Sequence, residues 1–233
     1  MQSHLIRLHP IPRIGALAAI LCALSLAALA QSTNPGAMAD QYAASAKKNA
    51  ELTRHYAWQM RIALTVKGNP KPASLYQMRF DADGKLQKTL LSAPPEEKKA
   101  RGIRGRIKEN KIEDFKDWAD TLGDLVKDYM APTPGTMMDF YAKAAYSQSP
   151  DGTVQVTAGG FIQPKDKVTF WLDPATKSPR RFAFQTVLDE DAVSGQVDFG
   201  QVTDGPQYAA RLVVNVPGKE VSATIENFNY QRQ

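Results

Sequence analysis

Few residues of this chain can do thiol, metal or redox chemistry. Its one cysteine, Cys22, and two of its three histidines, His4 and His9, fall in the first 30 residues. Beyond them stands a single histidine, His55. Residues 31–233 therefore hold no disulfide framework, thiol nucleophile, Cys/His zinc site or iron–sulfur cluster. A Ser-His-Asp hydrolase would depend on His55, which opens a strand pattern on its polar side, and no Gly-x-Ser-x-Gly elbow accompanies it. Asp189-Glu190-Asp191 brings carboxylates together between two strand patterns, where turn chemistry accounts for them, and no sugar-binding aromatics surround them. Gly102-Ile103-Arg104-Gly105 lacks the Gly-Lys-Ser/Thr ending of a phosphate loop. These residues argue against an enzyme and require neither a metal nor a cofactor.

Two other sets of side chains could do work by binding. The first is apolar. Trp58, Met60, Tyr76, Met78 and Phe80 share one side of a strand pair, and Trp118, Met137, Met138 and Phe140 belong to helical patterns able to pack over it. Methionine is flexible and polarisable, so such a lining suits ligands of varied shape, and a lipid or acyl chain is the expected guest. The competing reading is an ordinary core. The second set is basic: Lys98, Lys99, Arg101, Arg104, Arg106 and Lys108, with Lys111, stand against three acids between residues 96 and 111. The run offers contact to anionic headgroups or a membrane surface. Nucleic acid is a poor partner, because no aromatic residues interleave the charges. The alternative is a solvated loop leading into a helix with an acidic first turn.

The elements that must position these sets follow from hydrophobic period. Residues 38–52 read as a helix with Met38, Tyr42, Ala46 and Leu52 near one face. From His55 to Lys67 apolar and polar residues alternate, with Tyr56, Trp58, Met60, Ile62, Leu64 and Val66 on one side. That alternation predicts a long half-buried strand. Strands over 74–81 and 85–92 follow, joined at Asp83-Gly84. Ile112, Phe115, Trp118, Leu122, Leu125, Val126 and Tyr129 recur at helical steps, so 112–129 reads as an amphipathic helix. Thr133 can cap a further helix with Pro134 in its first turn, running to about Tyr146. From Asp151 onward strands are expected near 153–158, 167–172, 180–188, 193–202, 208–216 and 221–230. Short turns and no helical period between them indicate an antiparallel meander. The expected fold is α+β: one domain over 38–233 with nine or ten strands in a large curved sheet, an open half-barrel, and two central helices on its concave face.

The first 30 residues read as a signal peptide. Arg7 and Arg13 precede an apolar run ending in Ala28-Leu29-Ala30, and a polar linker, 31–37, follows. Leu21 before Cys22 argues against lipidation. The chain carries 29 basic and 24 acidic residues, net +5, and loses only Arg7 and Arg13 with the signal, which leaves +3. The basicity is therefore local to residues 96–111. The expected product is a periplasmic or secreted monomer.

An N-terminal helix, a long aromatic first strand, a hairpin, two central helices and a meander together resemble the periplasmic lipoprotein carriers of the Lol system (LolA and LolB). The segments Phe80-Asp81-Ala82-Asp83-Gly84-Lys85-Leu86-Gln87-Lys88-Thr89, Arg101-Gly102-Ile103-Arg104-Gly105-Arg106, Leu172-Asp173-Pro174-Ala175-Thr176-Lys177 and Glu226-Asn227-Phe228-Asn229-Tyr230 are similar to those of uncharacterised exported bacterial proteins. The Lol resemblance implies a soluble carrier holding a lipid, acyl chain or lipoprotein between sheet and helices. The basic segment departs from those carriers. It keeps open a second role, an envelope interaction module with a filled core that uses 98–111 as its contact surface.

Overall fold

The computed structural model describes residues 34–92, 103–173, 175–176 and 178–233. The signal-peptide assignment and Lys98, Lys99 and Arg101 of the basic run lie outside them.

Three α-helices and eleven strands are found among the described residues. Helix α1 spans Pro35–Thr53, α2 Ile103–Met130 and α3 Pro134–Lys143. The strands are β1 (Tyr56–Val66), β2 (Asn69–Pro70), β3 (Ser74–Phe80), β4 (Leu86–Ser92), β5 (Ala145–Gln148), β6 (Val154–Gly159), β7 (Lys167–Leu172), β8 (Pro179–Leu188), β9 (Asp191–Gln201), β10 (Gln207–Val216) and β11 (Val221–Arg232). They form one open, curved, antiparallel sheet in the order β4-β3-β1-β11-β10-β9-β8-β7-β6-β5, with the short β2 also paired to β1. The helices pack on one face, as expected of the half-barrel.

Register decides which face is which. Trp58 stands opposite Met78, and Met60 opposite Tyr76. Ile62 faces Ile225, which faces Leu212, then Val197, Phe182, Phe170 and Val156 on successive strands. This apolar row crosses the inner face beneath the helices. One step along each strand the side chains reverse. There Arg181, Asp198, Arg211, Glu226 and Arg61 form a row of alternating charge on the outer face. Arg181 meets Asp198 at 2.7 Å and Arg61 meets Glu226 at 3.0 Å. Exposed pairs of this kind contribute at most about 1 kcal/mol each. Their value here is to mark the solvated side, because a one-residue slip would bury the whole row.

Several sequence expectations need correction. Helix α2 begins at Ile103, so 103–111 is helical where a loop was expected. Residues 103–111 lack an apolar stripe but are rich in Arg, Lys and Glu, which propagate a helix well once it is nucleated. Its acids consequently lie inside the helix, and its first turn holds none. Helix α1 starts inside the supposed linker, with Asn34 accepting from the Gly36 and Ala37 N–H groups. It buries Ala39, Tyr42, Asn49 and Thr53, while Leu52 is exposed. Helix α3 is capped by Thr133 as expected, its hydroxyl accepting from the Thr136 N–H. It stops at Lys143, and Ala145–Gln148 instead pairs with β6 as an edge strand.

Candidate functional site

Two halves of the inner face are covered differently. Over β6–β9 the packing is dense and aromatic. Phe140 of α3 meets Phe161 at 5.5 Å and Phe170 at 5.2 Å, and Phe170 meets Phe182 at 4.5 Å between ring centroids. The C-terminal turns of α2 add Leu122, Leu125, Val126, Tyr129 and Met130, all buried.

Tyr129 is the centre of this half. Its ring lies nearly parallel to Phe184, 7° apart with centroids at 4.3 Å. Phe184 can lie that flat on the sheet because its cross-strand partner is Gly195, where a Cβ would sit 2.1 Å from the ring. The Tyr129 hydroxyl donates to Asp166 at 2.7 Å. Asp166 is buried in the β6–β7 connection and also accepts the N–H groups of Phe161, Ile162 and Gln163 at 2.6, 2.7 and 2.9 Å. Three successive N–H groups converging on one oxyanion make a nest. Burial alone would raise the Asp166 pKa, but these donors and the Tyr129 hydroxyl outweigh it and hold the carboxyl below its ordinary value. Burial, with Asp166 beside it, pushes the Tyr129 hydroxyl far up, so it stays protonated and donates.

Helix α1 is fixed to the sheet by Asn49. Its side chain donates to the Gln207 carbonyl and accepts the Gln207 N–H, both at 2.9 Å, so the amide substitutes for a strand partner at the start of β10. A further polar contact sits under Trp58, whose indole N–H donates to Asn227 at 3.1 Å. Asn227 in turn donates to the Ala209 carbonyl at 2.8 Å. Trp58 stacks on Tyr230 at 5.4 Å, and Tyr230 meets Tyr208 at 4.2 Å.

The other half, on β1, β3 and β4, is more open. Ile62, Leu64, Tyr76, Phe80 and Leu86 are half-buried, and Leu90 is 49% exposed. These strands put Leu86, Lys88 and Leu90 opposite Phe80, Met78 and Tyr76, so all of these residues share the inner face. Lys88 points its ammonium at the Tyr76 ring, 3.9 Å from the centroid. Helix α2 carries Phe115 and Trp118, with ring centroids 5.6 Å apart, and Trp118 packs partly buried against the core. The Trp118 indole N–H and the Tyr230 hydroxyl are buried with no hydrogen-bond partner among the described residues.

The expected lining thus splits. Trp58 (1% exposed), Met60, Met78 (0%), Met137 and Phe140 are core residues, whereas Tyr76 and Phe80 in the open half, and Trp118 on α2, are only partly buried against that core. Met138 is 45% exposed and joins neither. Adjacent helical positions point about 100° apart, and Met137 takes the inward direction. Of the basic run, Arg104, Arg106 and Lys108 lie within α2. Lys88, Asp166, Asn49 and Asn227 escaped the sequence reading. Lys88 carried a usable signal, a cation at an inward position of an otherwise apolar alternation. The others read as ordinary turn, helix and strand residues.

His55 is exposed at the head of β1, and Asp189 and Glu190 form the β8–β9 turn. Among the described residues no group of three His, Cys, Asp or Glu is placed to hold a metal ion, and no helix is long and apolar enough to cross a membrane.

No protein-family model matches the sequence, and no curated protein matches it. Three solved structures resemble the fold distantly. A LolA superfamily protein from Nitrosomonas europaea is 10% identical, with 80% of this chain and 93% of that one covered and a TM-score of 0.34. A domain described as an outer membrane lipoprotein-sorting protein from Vibrio parahaemolyticus is 9% identical over 84% and 93% of the two chains, with a TM-score of 0.42. A DUF1329 family protein from Desulfovibrio piger is 9% identical over 86% and 91%, with a TM-score of 0.38. Likeness at this level leaves the functional argument to the geometry of the inner face.

Proposed function

We propose that this protein is an exported carrier or binding protein that holds a lipid or acylated partner between the β1–β3–β4 part of its sheet and helix α2. The uneven covering of the inner face supports this reading. Where α1, α3 and the end of α2 pack, side chains are buried, yet Ile62, Leu64, Tyr76, Phe80, Leu86 and Leu90 retain exposed apolar surface on one continuous face. Covering such surface contributes about 25 cal/mol per Å². The Trp118 indole N–H of α2, without a partner among the described residues, would gain from a ligand acceptor. The C-terminal turns of α2, buried from Leu122 to Met130 and tied to Asp166 through Tyr129, would stay in place when a chain enters.

Native mass spectrometry on protein purified from a periplasmic extract without detergent tests this. Co-purifying lipid, or uptake of fatty acid on titration, is the expected result. Ligand-free protein that takes up nothing would overturn it.

The nearly complete burial of Trp58, Met78, Met137 and Phe140 favours a second reading, an envelope interaction module with a filled core. The basic run is then the contact surface. Replacing Arg101, Arg104 and Arg106 together by Glu would abolish partner capture by crosslinking and spare lipid uptake; an unchanged partner profile would exclude this role.

A further inference from the structure

A cation on the inner face of a sheet is costly, and Lys88 is one. It stands between Leu86 and Leu90 on β4, opposite Met78, with its ammonium over the diagonal neighbour Tyr76. The inward residues of β1 and β3 that share this face (Trp58, Met60, Ile62, Leu64, Ser74, Tyr76, Met78 and Phe80) include no carboxylate. Lys88 forms no ion pair among the described residues. Burial lowers its pKa, as expected for a charge facing apolar neighbours without an anion. A cation–π contact partly compensates an ammonium for lost water, by about 0.5–2 kcal/mol, but leaves most of its donors free.

We propose that Lys88 is the anion-recognising residue of the open half, and that its ligand is a long-chain anionic amphiphile whose carboxylate sits on the Lys88 ammonium at the β4 edge. This rests on the carrier reading above and adds the ligand's class and polarity. The chain lies inward over Tyr76, Ile62 and Leu64, and the head stays at the sheet edge, where water still reaches it. Charge and position point to the same occupant: an apolar strip whose rim cation has no acidic partner among the described residues fits one chain with one negative head. An inward lysine on an edge strand can alternatively serve to prevent edge-to-edge pairing, and the experiment separates the two.

Oleate and the uncharged oleyl alcohol would be titrated, below their aggregation concentrations, into the full mature protein and into Lys88→Gln and Lys88→Arg variants. Wild type is expected to prefer oleate, and Lys88→Gln to lose about tenfold in oleate affinity, the effect of removing one charge-assisted hydrogen bond. Oleyl alcohol binding should be unchanged in Lys88→Gln, and Lys88→Arg should keep the preference for oleate. If wild type and Lys88→Gln bind both ligands alike, the anion assignment falls while the carrier reading stands. If neither ligand binds any of the proteins, both fall. Self-association of Lys88→Gln with unaltered oleate affinity would assign the lysine to edge protection and overturn the proposal.

Discussion

The Tyr129 hydroxyl donates to Asp166 across 37 residues of chain, tying the last turn of α2 to the β6–β7 connection through a 2.7 Å hydrogen bond. Tyr129 is at once stacked on Phe184 and hydrogen-bonded to a buried carboxylate, so one residue fixes both the height and the rotation of the helix end over the sheet. This contact anchors the C-terminal end of α2 to the sheet.

Tyr129→Phe keeps the ring stack and removes the hydroxyl, and should lower stability by about 1–2 kcal/mol. Asp166→Asn leaves an amide that cannot accept from all four donors, and should cost more, about 2–3 kcal/mol. Urea unfolding followed by tryptophan fluorescence reads both. Equal, negligible effects would show that packing alone holds this end of α2.

The same carboxylate predicts an acid limb. Its folded pKa lies below the ordinary 3.8, so Asp166 stabilises the fold above that value, and the contribution disappears as pH falls through the depressed folded pKa. Asp173, held near 2 by the Thr176 and Ala175 N–H groups, the Thr176 hydroxyl and Arg180, acts in the same direction from an exposed turn. Midpoints of urea unfolding between pH 5 and pH 2 should fall in wild type and fall less steeply in Asp166→Asn. Parallel curves would remove Asp166 from the acid response.

Gly195→Ala should destabilise by about 1–3 kcal/mol through overpacking, because the new Cβ would arrive 2.1 Å from the Phe184 ring. The ring must tilt, and the Tyr129 stack above it tilts with it. Gly195→Ala in a Phe184→Leu background should cost less, and the double-mutant cycle measures that coupling.

The β8–β9 turn carries two residues in the left-handed region, Asp189 at φ 48° and Glu190 at φ 71°. Two-residue hairpins of this geometry favour Asn-Gly or Asp-Gly, so Glu190→Gly should stabilise by about 1 kcal/mol. Thermal unfolding checks the sign; a lower midpoint would mean that the Glu190 side chain contributes more than its backbone strain costs.

Local period fixed the wall of the candidate site. The alternation through Trp58, Met60, Ile62 and Leu64 places those side chains on one face whatever the rest of the chain does, since successive residues of a strand point to opposite sides. Lys88 and Tyr76 could be assigned to that face for the same reason. Thr133 before Pro134 marked the start of α3 because capping is a property of neighbouring residues. The start of α2 was not legible from period, because its first residues have helical propensity but no apolar stripe.

The sequence by itself determined nine of the strands, all but the short β2 and the edge strand β5, together with the composition of the inner face. Tertiary structure decided how that face is shared: Met137 inside and Met138 outside, Trp58 sealed and Leu90 open, Asp166 tied to Tyr129, Asn49 to Gln207 and Trp58 to Asn227. Each of those pairings joins residues far apart in the chain, 158 positions for Asn49 and Gln207 and 169 for Trp58 and Asn227. Period reports which way a side chain points. Which element covers it depends on the long-range pairing of strands and helices, and that pairing divides the inner face into a solid core and an open rim.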